Sequence, residues 1–124
     1  MDSYEKQLCS LTARVMDLAA FDWDTTYGSP NLSIDTQHNA LSFLSLLKEN
    51  GKKLPTFINY DSSGGLDFGF EKEYRVAVTL QDNIMFVVRD PAAGKEYFLG
   101  DVFFNGQRIP KRVNAMIPNK DANA

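Results

Sequence analysis

The sequence predicts a single α+β domain over residues 1–124, with two N-terminal helices packed on one face of a five- to six-stranded antiparallel meander and a short C-terminal helix or turn. Apolar residues recur at helical spacing up to about residue 50 and alternate at strand spacing from Leu54 onward. Turn-forming residues then return at short, regular intervals, which is typical of a meander. Because the helical half precedes the strand half, helices grouped on one side of the sheet are favoured over alternating βαβ units.

The first predicted helix runs from Ser3 to Ala20. A second helix, with Ser33 or Asp35 as its cap, ends near Asn50. Its apolar residues cover more than one stripe, so we expect it to be the more buried helix. The stripe of the first helix consists of Tyr4, Leu8, Leu11, Val15 and Leu18. Residues 21–32 between the helices are predicted to form a loop.

Alternating apolar residues and turn signals predict the strands of the sheet. The predicted strands are Thr56–Tyr60, Leu66–Glu71, Tyr74–Leu80, Ile84–Arg89, Glu96–Leu99 and Asp101–Phe104, the last of them a separate strand or a bent continuation. Pro110 is placed to begin a short helix through Met116. Residues 118–124 are predicted to be a frayed tail.

Composition argues against several classes of protein. The 124 residues include 13 Lys and Arg against 16 Asp and Glu, with one His and one Cys, which excludes a broadly basic nucleic-acid binder. No apolar run approaches the roughly 20 residues of a membrane-spanning helix, and no N-terminal secretion signal is evident. A single Cys cannot form an internal disulfide, which fits a reducing compartment. We therefore expect a small cytoplasmic protein of bacterial or phage origin.

Asp22-Trp23-Asp24-Thr25-Thr26 has the spacing DxDxT. It resembles the phosphotransfer motif of haloacid-dehalogenase-type phosphatases, which implies that Asp22 is a nucleophile and Asp24 an acid/base. That chemistry needs the motif at the end of a buried parallel strand, whereas here it follows an amphipathic helix. The favoured interpretation is an acidic loop, and a small hydrolase or metal-binding enzyme using Asp22 and Asp24 is the alternative.

Residues 84–88 differ from the other predicted strands because both faces are apolar. One interpretation is a central strand covered on both sides, and the other is a patch for a partner or a second copy. The C-terminal residues 105–124 add a local excess of positive charge, with four Lys and Arg against one Asp. The predicted partner-binding residues are Met85 and Val87 on the sheet, with Arg108, Lys111 and Arg112 at the rim.

These observations favour a non-enzymatic protein-binding module, such as an adaptor, inhibitor or chaperone-like protein, that docks on another protein or on a second copy of itself. In size, acidity and helix-then-strands order, the chain resembles the type III secretion chaperones, although it lacks their long C-terminal helix. No catalytic residue, metal ligand or cofactor is predicted, and a membrane partner is not expected. A nucleic-acid-associated protein is a second alternative.

Overall fold

The computed structural model describes residues 2–70, 74–91 and 97–121. They form an α+β fold, as predicted, in which helices cover one face of a five-stranded antiparallel sheet. The helices are α1 (Ser3–Ala20), α2 (Trp23–Tyr27), α3 (Ile34–Glu49) and α4 (Lys111–Met116). The strands are β1 (Phe57–Tyr60), β2 (Leu66–Phe70), β3 (Tyr74–Gln81), β4 (Ile84–Pro91) and β5 (Tyr97–Phe103).

Helix α1 has the predicted bounds. Its N-terminus is capped by Asp2, whose carboxylate accepts a hydrogen bond of 2.8 Å from the backbone N–H of Glu5. The predicted stripe faces the protein, since Leu11, Val15 and Leu18 are buried. Through this stripe α1 packs against α3 and β1.

The loop predicted between the first two long helices contains the short helix α2, which is a correction. Asp22 caps it by accepting a hydrogen bond of 3.0 Å from the N–H of Thr25, and Gly28 ends it in the left-handed conformation at φ 70°. The Trp23 ring stacks on Tyr60 of β1 with 3.7 Å between ring centroids. These local caps and this tertiary stacking allow one helical turn where turn-forming residues predicted a loop.

Helix α3 is the more buried long helix, as predicted. Ser33 is its N-cap. The buried residues of the helix are Thr36, Ala40, Phe43, Leu44 and Leu47. Phe43 packs edge-on against Phe68 of β2 and Phe104, with ring centroids 5.1 and 6.2 Å apart. Most of the core therefore lies between α3 and the sheet.

The strands follow one another in space in the order of the sequence. The last two predicted strands form one strand, β5, which contains a bulge where Gly100 and Asp101 lie opposite Phe86. The predicted turn at Lys72–Glu73, and most of the one at Asp90–Lys95, lie outside the described residues.

The C-terminal segment returns to the helical side of the sheet. Ile109, Val113 and Ile117 join the core there. Within the segment predicted to be a frayed tail, residues 118–120 make hydrogen bonds to the rest of the chain, and residues 122–124 lie outside the described part. The buried Lys52 donates hydrogen bonds to the carbonyl of Ile117 and to Asn119, and the N–H of Lys120 bonds to the carbonyl of Gly51. These bonds hold the tail against the end of α3.

Candidate partner-binding surface

Met85 and Val87 are not available to a partner in this fold, which corrects their assignment as contact residues. Both are 0% exposed and belong to the core. They lie opposite Leu80 and Val78 of β3, and directly opposite residues of an antiparallel pair share a face. The outward residues of β4 are instead Ile84, Phe86 and Val88.

A signal for this assignment exists in the sequence. Asp82 and Asn83 form a two-residue turn, which pairs Gln81 with Ile84. Because Gln81 lies on the polar face of β3, Ile84 and every second residue after it must lie on that same face. Hydrophobicity alone could not show which alternate residues of β4 face outward, since both faces of this strand are apolar.

The helices pack on the core face of the sheet, and the opposite face is open in the described part of the chain. Large apolar side chains are exposed there on β4 and β5: Ile84 by 39%, Phe86 by 38%, Phe98 by 62% and Phe103 by 61%. Ile84 is paired with Phe103, and the Phe86 and Phe98 ring centroids are 6.3 Å apart. These four residues are adjacent, and we call them the open-face patch.

Gly69 lets one aromatic ring lie flat on the open face. A Cβ atom at Gly69 would lie 2.0 Å from the ring of Phe57, its partner on β1. A Cβ at Gly100 would lie 3.5 Å from the ring of Phe86, which is ordinary van der Waals contact. The Phe57 ring therefore covers the backbone of β2 and depends on the glycine there.

The open face carries more acidic than basic side chains among the described residues. Asp67, Asp82, Asp90 and Asp101 lie on it or at its end, and Arg75 forms an ion pair with Asp90. Asp67 accepts a hydrogen bond of 2.7 Å from the hydroxyl of Thr79. Burial raises the pKa of Asp67, the Thr79 bond opposes this, and the charge of Asp61 adds to the rise. Among the described residues, acidic side chains therefore outnumber basic ones around the patch.

A groove of about 380 Å³ lies at one end of this face, where the β3–β4 turn approaches the β5 bulge. Ile84 and Phe86 supply apolar lining, and the polar lining residues are Thr79, Gln81, Asp82 and Asp101. The groove therefore combines an apolar floor with two carboxylates.

The predicted basic rim lies elsewhere. Arg108, Lys111 and Arg112 are exposed, as a contact surface requires. However, the segment that carries them packs beside α3, where Asn50 donates a hydrogen bond of 3.2 Å to Asn114 of α4. The structure therefore does not bring these residues together with Met85 and Val87.

Asp22 and Asp24 face solvent, and Tyr27 beside them is 68% exposed. Hydrogen bonds from Thr25 lower the pKa of Asp22, which keeps it ionised as a helix cap. Within residues 2–70, 74–91 and 97–121, no three His, Cys, Asp or Glu side chains are grouped to hold a metal ion. This arrangement is not the concave, partly apolar pocket that acid/base catalysis by these residues needs.

The two edges of the sheet differ. The β1 edge is partly covered by α1, since Arg14 donates a hydrogen bond of 3.0 Å from Nε to the carbonyl of Ile58. The β5 edge is interrupted by its bulge, where Asp101 has a φ of 42°. Bulges disfavour edge-to-edge strand pairing, which argues against addition of a strand at the β5 edge.

Comparison with protein-family models, curated protein sequences and solved structures finds no match to this chain. No helix in the described part of the chain has the length and apolar character needed to cross a membrane. A proposal for its function therefore depends on the residues of this chain alone.

Proposed function

We propose that the chain is a non-enzymatic protein-binding module and that the open-face patch is its docking surface. The observation that supports this proposal is the adjacency of Ile84, Phe86, Phe98 and Phe103 on a sheet face that the described helices leave open. Full burial of a large apolar side chain contributes about 1.5–3 kcal/mol. Phe98 and Phe103 are more than half exposed, so covering them is the largest gain available on this face.

The charge around the patch indicates the chemistry of the partner. We infer that the occupant is a protein segment that presents apolar side chains together with Lys or Arg. Acidic residues surround the patch, so a basic segment is attracted and an acidic one repelled. Face-to-face pairing of two copies would place the acidic surroundings against each other, which disfavours a second copy as the occupant. A cytoplasmic location is part of the same proposal, because a single Cys suits a reducing compartment.

Fluorescence anisotropy with three labelled ten-residue peptides tests the proposal. One alternates Leu and Lys, one alternates Leu and Glu, and one alternates Ser and Lys. We expect the Leu/Lys peptide to bind at least about tenfold more tightly than the other two, because only it supplies both apolar contact and positive charge. Absence of binding, or equal binding of all three peptides, would contradict the proposal.

Matched variants locate the binding on the chain. The double variant Phe98→Ser/Phe103→Ser removes the two most exposed rings of the patch and should lose most of the Leu/Lys affinity. Ile34→Ser is the control, because Ile34 is 71% exposed but lies on α3, at the helical side. If both variants lose affinity equally, or neither does, the open-face patch is not the docking surface.

A further inference from the structure

We propose that the groove beside the open-face patch is a subsite for one basic side chain of the partner, Lys or Arg. In this arrangement the alkyl stem lies along Ile84 and Phe86, and the charged head lies between the carboxylates of Asp82 and Asp101. The inference rests on the proposed function and adds to it the position and chemistry of one contact.

Asp82 is held firmly at the groove. Its backbone N–H donates a hydrogen bond of 2.7 Å to the hydroxyl of Thr36, and its carbonyl accepts one of 2.8 Å from Asn39. The hydroxyl of Ser33, the α3 cap, donates to one carboxylate oxygen, Oδ1. The turn that carries Asp82 is thus fixed to the N-terminal end of α3, and its carboxylate is already positioned before a ligand arrives.

Asp101 reaches the groove because it lies two residues before Phe103, which pairs with Ile84 on the open face, and alternate residues of a strand share a face. Asp101 is also one of the two bulge residues opposite Phe86, and it takes a left-handed φ of 42°. Asp and Asn adopt this conformation more readily than most residues other than Gly. Asp101 therefore presents a carboxylate beside the exposed ring of Phe86, at the end of the face where Asp82 lies.

The lining matches the two parts of a long basic side chain. Lys and Arg bury their alkyl stems on apolar surface while the charged head stays at polar groups. An aromatic ring such as Phe86 attracts a cation over its face, and Asp82 and Asp101 offer charge-assisted hydrogen bonds. The lining contains no basic residue, and Arg75 is paired with Asp90 at the far end of the β3–β4 pair. The groove therefore suits a cation that the partner supplies.

The test compares Asp101→Asn with Asp90→Asn against the Leu/Lys peptide and a neutral Leu/Ser peptide. Each variant removes one negative charge from the same face, but only Asp101 lines the groove. Asn tolerates the left-handed backbone of position 101, so the bulge should persist. We expect Asp101→Asn to weaken Leu/Lys binding at least fivefold and Asp90→Asn less than twofold, with Leu/Ser binding unchanged by both.

Phe86→Leu provides a second readout. Leu keeps an apolar floor but removes the ring, so Leu/Lys affinity should fall about two- to fivefold more than Leu/Ser affinity, which reports the apolar contact that Phe86 makes as part of the patch. If the wild-type chain binds the Leu/Lys peptide and Asp101→Asn and Asp90→Asn weaken it equally, the charge acts over the whole face. The subsite is then wrong and the proposed function stands. If no peptide binds the wild-type chain, the proposed function fails together with the subsite.

Discussion

Asp67 is a residue of the open face whose contribution to stability depends on pH. Its carboxylate is half-buried between neighbouring strands, and burial raises its pKa above the ordinary value of 3.8. A carboxyl group whose pKa is higher in the folded than in the unfolded state binds more protons when folded. The free energy of unfolding therefore falls as pH rises from the unfolded pKa through the folded one. Ionised Asp67 lowers stability at neutral pH.

We expect Asp67→Asn to stabilise the protein at pH 7. Asn carries no charge at any pH, and its Oδ1 atom can still accept the hydrogen bond from Thr79. The advantage should shrink as pH falls toward 4, because Asp67 in the wild-type chain then becomes protonated. Urea denaturation at several pH values measures this, with Asp121→Asn as an exposed control. A stability gain that does not change with pH would contradict the assignment.

At the scale of elements, the N-terminus of α3 joins the helical layer to the sheet. Ser33 caps the helix by accepting a hydrogen bond of 3.0 Å from the N–H of Thr36, and it donates to Asp82 in the β3–β4 turn. The hydroxyl of Thr36, which is fully buried, accepts the N–H of Asp82. One short sequence therefore begins a helix and fixes the turn that sets the β3–β4 register.

Ser33→Ala should lower the free energy of unfolding by about 0.5–2 kcal/mol, the usual cost of losing a helix cap. Ser45→Ala on the same helix is the matched control, since Ser45 is exposed and Ala has the higher helix propensity. Chemical denaturation of both variants measures the difference. Equal stabilities of the two variants would show that Ser33 contributes nothing as a cap.

At the scale of the whole molecule, the two sides of the sheet have different surfaces. The helical side carries Arg108, Lys111 and Arg112, whereas the open face carries an apolar patch with acidic surroundings. Such an arrangement disfavours a closed, two-fold symmetric pairing of open faces, in which the same surface meets itself. It instead leaves the patch accessible to a basic partner.

We therefore expect light scattering to report a mass near 13.9 kDa at low salt, over a range of protein concentrations. Any self-association through the open faces should strengthen with salt, because screening weakens repulsion between like charges. The Phe98→Ser/Phe103→Ser variant should remain monomeric at all salt strengths. A dimer of twice that mass, independent of concentration and lost in this variant, would identify a second copy as the occupant.

Much of the fold could be predicted because it depends on local patterns. The apolar stripe of α1 and the cap at Ser33 are properties of a few neighbouring residues, and both long helices follow from them. The order of turns similarly predicted the meander. Helix α2 and the anchored tail were missed, because they depend on Trp23 stacking on Tyr60 and on Lys52 reaching Ile117 and Asn119, over distances of tens of residues.

The candidate site shows the same division more sharply. The sequence by itself determined that β4 is apolar on both faces and that one of them is a candidate contact surface. Hydrophobicity left open which face is buried. The Asp82–Asn83 turn sets the register that relates β4 to β3, and only the tertiary structure shows on which side the helices pack. The groove likewise joins residues that are distant in sequence, since the pairing of β5 with β4 brings Asp101 beside Phe86 and the β3–β4 turn supplies Asp82. Periodicity specifies elements, but a surface forms where residues from separate strands meet.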